Sequence, residues 1–208
     1  MKRLMEPGKL RLGILASGRG SNFDAICAAI VRQDLNASIA VVLSDNPDAA
    51  VLRKAAVRNI RNYYVDPGCF ENKKQYEEHL LSILEAGKVD LVVLAGYMRL
   101  VGSVFLQAYK NRVVNIHPAL LPAFKGLHAQ RQAVQYGVKF SGCTVHLVDE
   151  GMDSGPIIMQ TVVPVAQDDD EDSLATRILV EEHNTYWQAL QLIAEGRVWL
   201  EGRRVFIR

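Results

Sequence analysis

The apolar residues of the first half of the chain fall into short blocks that alternate between two periods. Residues 10–17 form an apolar run that closes in alanine and serine, which predicts a strand, and residues 22–32 carry apolar positions at helical spacing. A second strand is expected over residues 38–43, ended by the turn Asp45-Asn46-Pro47, followed by a helix over residues 49–58. A short strand precedes Asp66-Pro67-Gly68. Tyr76, Leu80 and Leu84 then recur at four-residue intervals on a helix that Gly87 ends. Residues 90–94 read as a buried strand, residues 104–109 as a helix and residues 113–117 as another strand. This rhythm predicts an α/β fold: an open, mainly parallel twisted sheet with helices on both faces.

The pattern changes after Pro118. A helix over residues 129–135 is followed by two strand-like runs, residues 143–148 and 156–165. The acidic run of residues 168–172 suits the N-terminus of a long final helix, where the helix dipole favours negative charge. A hairpin turning at Glu201-Gly202 ends the chain. No repeat, low-complexity linker or boundary interrupts it, so residues 1–208 are expected to be a single domain. Residues 1–8 are read as a short disordered extension. Lys2 and Arg3 are basic, but Glu6-Pro7-Gly8 intervenes before any apolar run, unlike a signal peptide.

Composition narrows the function. A net charge of +1 lacks the basic excess of a nucleic-acid-coating surface. No apolar stretch approaches membrane-spanning length, and Cys27, Cys69 and Cys143 have neither paired nor metal-type spacing. A cytoplasmic protein acting on small molecules, without nucleic acid or membrane, is expected; oligomeric state is not legible.

Open α/β sheets bind ligands at the carboxyl ends of their strands, and three unusual segments fall at such ends. Ser17-Gly18-Arg19-Gly20-Ser21-Asn22 separates the first strand from the first helix. Glycines there let backbone N–H groups approach an anion. Phe23 and Asp24 stand where a dinucleotide fingerprint would have its third glycine, so a single phosphate fits better, the alternative being a tight turn with no ligand. Ala95-Gly96-Tyr97-Met98-Arg99-Leu100 follows the strand ending at Leu94, with backbone for a flat heterocycle and Met98 and Leu100 for apolar contact. In Asn115-Ile116-His117-Pro118, period-two alternation puts Asn115 and His117 on one face. That pairs an amide donor with a titratable imidazole. A fourth segment, residues 149–156, is a glycine-rich acidic loop in which nothing local separates Asp153 from Asp149 or Glu150. On the last helix Leu174, Ile178, Tyr186, Ala189 and Ile193 form an apolar face with Glu182 near its middle. A glutamate there either pairs with a structural partner or reaches a polar ligand.

Together these segments resemble the glycinamide ribonucleotide transformylase family over residues 10–190. Three motifs carry the resemblance: Ser17-Gly18-Arg19-Gly20-Ser21-Asn22, the long run Asn115-Ile116-His117-Pro118-Ala119-Leu120-Leu121-Pro122-Ala123-Phe124-Lys125-Gly126, and Asp153-Ser154-Gly155-Pro156. The resemblance implies a formyltransferase fold with a Rossmann-like N-terminal half and transfer of a formyl group from 10-formyltetrahydrofolate, as co-substrate, to the amine of 5-phosphoribosylglycinamide, with no metal. It implies that Gly20, Ser21 and Asn22 bind the substrate phosphate and that Glu182 binds its ribose. Met98, Arg99, Leu100 and Val101 match the folate loop, and Asn115, His117 and Asp153 match the catalytic trio, Asn115 also meeting the folate. Lys73 sits where relatives often carry an arginine toward the folate; it keeps the cation and loses the bidentate geometry. Trp187 departs from the proline common in relatives.

Two other readings compete. A formyltetrahydrofolate hydrolase would use a similar trio on water, but such relatives carry an N-terminal regulatory domain for which the segment before the first strand leaves no room. A non-catalytic nucleotide- or folate-binding protein would have no need of an intact Asn115, His117 and Asp153. Methionyl-tRNA formyl transfer would call for an added tRNA-binding domain and a basic excess.

Overall fold

In the computed structural model, which describes residues 1–208, the chain divides into two units: residues 8–114, and residues 1–7 together with 115–208. A two-residue strand, β1 (Lys2–Arg3), precedes the first of these. Residues 8–114 then alternate as the periodicity predicts: β2 (Leu10–Leu15), α1 (Ser21–Val31), β3 (Ala37–Ser44), α2 (Ala50–Val57), β4 (Asn62–Tyr64), α3 (Lys73–Ala86), β5 (Leu91–Leu94) and α4 (Ser103–Ala108). Their strands lie in the order β4-β3-β2-β5, every pair parallel. Leu12, Ile14, Leu15, Val92 and Val93 are wholly buried, as in a parallel sheet covered on both faces. Because β2 and β5 run the same way, the loops that follow them leave the sheet at the same edge.

The strand β6 (Val113–His117) spans the boundary between the units. After it come α5 (Ala129–Tyr136), β7 (Phe140–Leu147), β8 (Ile157–Pro164), α6 (Glu171–Ala194), β9 (Val198–Glu201) and β10 (Arg204–Ile207). Strands β7 and β8 are antiparallel, and their register shifts between Val145 and His146. The shift leaves Ile158 of β8 without a partner opposite the Val145–His146 step, an irregularity of the kind that bends the strand carrying it. Helix α6 packs on β7 and β8 and buries Leu174, Ile178, Glu182, Tyr186, Ala189 and Ile193, the face read from its periodicity.

Residues 1–8 differ from the expected disordered extension. Strand β1 pairs antiparallel with β9 in a three-stranded sheet with β10, and the Leu4 N–H donates to the Val198 carbonyl. The Arg3 guanidinium lies 4.8 Å from the Trp199 ring centre, so a cation–π contact and edge pairing supply the order that composition does not suggest. No helix is long and apolar enough to cross a membrane. All three cysteines are free; burial pushes the Cys27 and Cys143 thiols up to about 11, whereas Cys69 is exposed.

The start of α6 is fixed electrostatically. Asp170 caps it in a reciprocal box with Ser173. Asp169 accepts two hydrogen bonds from Arg177, at 2.6 and 2.9 Å. This pairing holds the Asp169 carboxyl well below the usual carboxylate range. A depressed native pKa contributes stability above the unfolded value of about 3.9, lost as pH falls toward the native value. Asp169→Asn should therefore lower the melting temperature at pH 7, and the gap from wild type should close on acidification below about pH 4. Calorimetric melts of both proteins across pH 2–7 check this; a gap independent of pH would refute it.

Candidate active site

The end of β6 places Asn115 and His117 on one face, as the period-two reading expects. His117 is 5% exposed. Its Nδ1 lies 3.3 Å from Asp153 Oδ2, and its Nε2 lies 2.8 Å from the Phe124 carbonyl oxygen. Both ring nitrogens thus face acceptors. The imidazolium satisfies both, and either neutral tautomer only one. For Nε2 to give a proton to a bound molecule, its bond to Phe124 must be exchanged.

Of its three acids, the loop after β7 brings Asp153 to within 3.3 Å of His117. Asp149 is spent within its own loop, accepting from Ser154 Oγ and the Gly151 N–H. Asp153 adopts a left-handed φ of +45°, a conformation aspartate tolerates better than most residues. Gly155 allows the loop to close onto the strand, since a Cβ there would overlap the Leu147 carbonyl. The Leu147 N–H bonds to the Pro156 carbonyl at 2.8 Å. Asp153 Oδ2 also accepts from the Gly126 N–H at 2.8 Å, so one carboxylate holds both the histidine and the segment that carries Phe124.

A residue that the sequence motifs do not include completes this cluster. His146 is 2% exposed. Its Nε2 lies 3.2 Å from Asn115 Nδ2 and 3.7 Å from Asp153 Oδ1, and its Nδ1 lies 2.9 Å from the Leu147 carbonyl oxygen. Burial lowers its pKa from the ordinary histidine value, against the opposing influence of its Leu147 hydrogen bond and of Asp153. The available signal was a lone imidazole inside an otherwise buried strand.

In residues 8–114 the expected phosphate turn opens α1. Gly20 is its N-terminal cap residue at φ +70°, and no side chain caps the helix. A Cβ on Gly20 would meet Val51 at 2.8 Å, so both conformation and packing require glycine there. Ser21 and Asn22 begin the first turn, Asn22 buried. The turn is tied to the expected folate loop: Ser17 Oγ donates to Asp45 Oδ1 at 2.6 Å and accepts from the Met98 N–H at 2.9 Å. Arg99 pairs with the other Asp45 oxygen at 3.0 Å. Met98, Arg99, Leu100 and Val101 line a cavity of about 480 Å³ with Lys73, Tyr76 and Tyr97, a volume suited to a small ligand. The Tyr76 and Tyr97 hydroxyls are hydrogen-bonded at 2.8 Å, and burial with this bond raises the Tyr97 pKa. Lys73 Nζ lies 3.8 Å from the buried Glu77. Glu182 is buried on α6, 8% exposed.

Comparison with known proteins places this geometry in a class. The model of the formyl transferase family matches residues 10–190, and the chain belongs to that family. Within it, the chain is 43% identical over 176 residues to the phosphoribosylglycinamide formyltransferase of Bacillus subtilis, covering 85% of this chain and 90% of that protein. A crystal structure of glycinamide ribonucleotide transformylase 1 from Symbiobacterium toebii superposes with a TM-score of 0.94 at 48% identity, covering 96% of this chain and 94% of that one. The chain is also 40% identical over 197 residues to the trifunctional purine biosynthetic protein adenosine-3 of Drosophila melanogaster, spanning 94% of this chain but 15% of that protein's length.

The two glycines of the turn differ in what surrounds them. A Cβ at Gly18 would meet nothing within 4 Å, unlike one at Gly20. Gly18→Ala should leave the melting temperature near wild type, whereas Gly20→Ala should cost about 1–3 kcal/mol through overpacking and the left-handed backbone. Denaturant unfolding of both variants without ligand measures this, and equal stabilities would show that the Val51 contact does not constrain the turn.

Proposed function

We infer that the chain is a phosphoribosylglycinamide formyltransferase, moving the formyl group of 10-formyltetrahydrofolate onto the amine of 5-phosphoribosylglycinamide in de novo purine biosynthesis. The observation that carries the site chemistry is the contact of His117 with Asp153, with Asn115 on the same strand face. The substrate amine attacks the formyl carbon, forming a C–N bond and a tetrahedral centre with a developing oxyanion. An Asn115 N–H stabilises that oxygen. Imidazolium at His117, its Nδ1 facing Asp153, donates to it or passes its proton on. Collapse breaks the bond to the folate nitrogen, which gains a proton as the attacking amine loses one.

The remaining roles follow from the family. Gly20, Ser21 and Asn22 hold the phosphate on backbone donors at a helix start, and Glu182 accepts from the ribose hydroxyls. The loop of Met98, Arg99, Leu100 and Val101 takes the folate, with Asn115 and Lys73 as further contacts. The cavity that Lys73 shares with this loop supports that grouping. The scheme invokes no metal. Its reactants are small molecules, its setting is the cytoplasm, and residues 1–208 act as a single formyltransferase domain.

Folate product should form from 10-formyltetrahydrofolate only when the ribonucleotide is supplied. Equal release without acceptor would replace this reading by hydrolysis. Asp153→Asn keeps side-chain shape and removes the charge beside His117, so it should lower kcat by about 10²-fold or more. Asp149→Asn should not, because that carboxylate serves its own turn. Steady-state turnover of the two folded variants decides between them; a loss confined to Asp149→Asn would reassign the acid.

A further inference from the structure

The mechanism above needs Asn115 to present nitrogen, not oxygen, to a developing negative charge. A terminal amide rotates about its last bond, and its two ends differ little in shape but are opposite in hydrogen-bonding sense. The flipped amide would set a carbonyl against an oxyanion. Something must therefore fix the rotation before substrate arrives.

The atoms around His146 do so by a chain of single choices. The Leu147 carbonyl only accepts, so the Nδ1 that faces it at 2.9 Å must carry the proton. In the neutral ring Nε2 is then an acceptor, and an acceptor 3.2 Å from the Asn115 amide requires the nitrogen end there. Each Nδ2 carries two hydrogens. One is spent on His146, and the second remains for the reacting oxygen. We propose that His146 is a positioning residue for formyl transfer, the Nδ1–H tautomer whose Nε2 lone pair locks the Asn115 amide with its nitrogen as oxyanion donor. The inference rests on the formyl-transfer reading above. Asp153, His117 and Asp149 are the charged or titratable groups that act on the ring; the two carboxylates favour its protonation, and His117 with burial opposes it. The neutral ring is the form the Asn115 contact needs. The burial of Val145, His146 and Leu147 on β7 holds the ring in place.

Two variants separate the functions of the ring nitrogens. His146→Asn retains a donor near the Nδ1 position and has no atom near Nε2. His146→Gln can put an amide oxygen near Nε2 to accept from Asn115. His146→Asn should lower kcat by about 10²-fold while the KM for each substrate stays within about threefold, since misorientation acts on the transition state more than on binding. His146→Gln should recover most of that loss. On an Asn115→Ala background, His146→Asn should cost nothing further, because a residue acting through Asn115 has nothing left to orient. Equal losses in the two variants, or a loss that multiplies on the Asn115→Ala background, would overturn the proposal. A ¹⁵N NMR spectrum of the imidazoles in the unmodified protein supplies a readout free of turnover and of variant folding. It should show His146 as the neutral Nδ1–H tautomer at neutral pH; an Nε2–H tautomer or an imidazolium would refute the assignment. That spectrum stands even if formyl transfer itself fails, which keeps the two readings separable.

Discussion

The arrangement of the Asn115–His117–Asp153 cluster depends on where one carboxylate is held. Asp153 reaches its position only because residues 149–156 fold back on the end of β7, with Gly155 against the Leu147 carbonyl and a left-handed backbone at Asp153 itself. Once there, a single oxygen accepts from the Gly126 N–H and faces His117. The first bond fixes the segment between β6 and α5, and that segment brings the Phe124 carbonyl to the far side of the same imidazole. The ring is thereby held from both ends through one acid. Bonds to an ionised acceptor exceed neutral ones in strength, each contributing about 1.5–3 kcal/mol. A loop whose tip, Glu150-Gly151-Met152, is exposed can set a buried side chain accurately on that basis.

Residues 8–114 use the same device. Asp45 is a branching point, taking Ser17 on one oxygen and Arg99 on the other, while the Ser17 hydroxyl accepts from the Met98 N–H. The loops after β2 and β5 leave a parallel sheet at one edge and would otherwise be tethered only at their ends. Arg99, which the resemblance assigns to the folate loop, is also held by this pair with Asp45. Lys73 is less committed, at 3.8 Å from Glu77 with more than half of its side chain exposed.

Strand and helix periods were readable because burial enforces them. The parallel strands of residues 8–114 and the inner face of α6 were expected almost residue for residue, and Asn115 and His117 share a face by simple alternation. What escaped was set by backbone conformation or by long-range pairing. The approach of Asp153 rather than Asp149 to His117, which only the family resemblance picked out, comes with a positive φ that no local composition announces. The Phe124 carbonyl belongs to no side chain and leaves no trace in residue type. Strand β1 is two residues long, too short to show a period, and exists because β9 offers an edge. His146 lay in plain view, but one imidazole in a buried strand has many structural explanations until its partners are known.

The distribution of thiols has a practical consequence. Two of the three are sealed in the core with their ionisation pushed up, and thiolate is the reactive form toward alkylating reagents. The third, Cys69, is solvent-accessible in the short turn Pro67–Cys69, between Pro67 and Phe70, which both line the 480 Å³ cavity. A maleimide dye added to the unaltered protein would therefore attach at one place, on the rim of that cavity. Its emission would follow occupancy of the cavity in real time, without engineering a cysteine-free background.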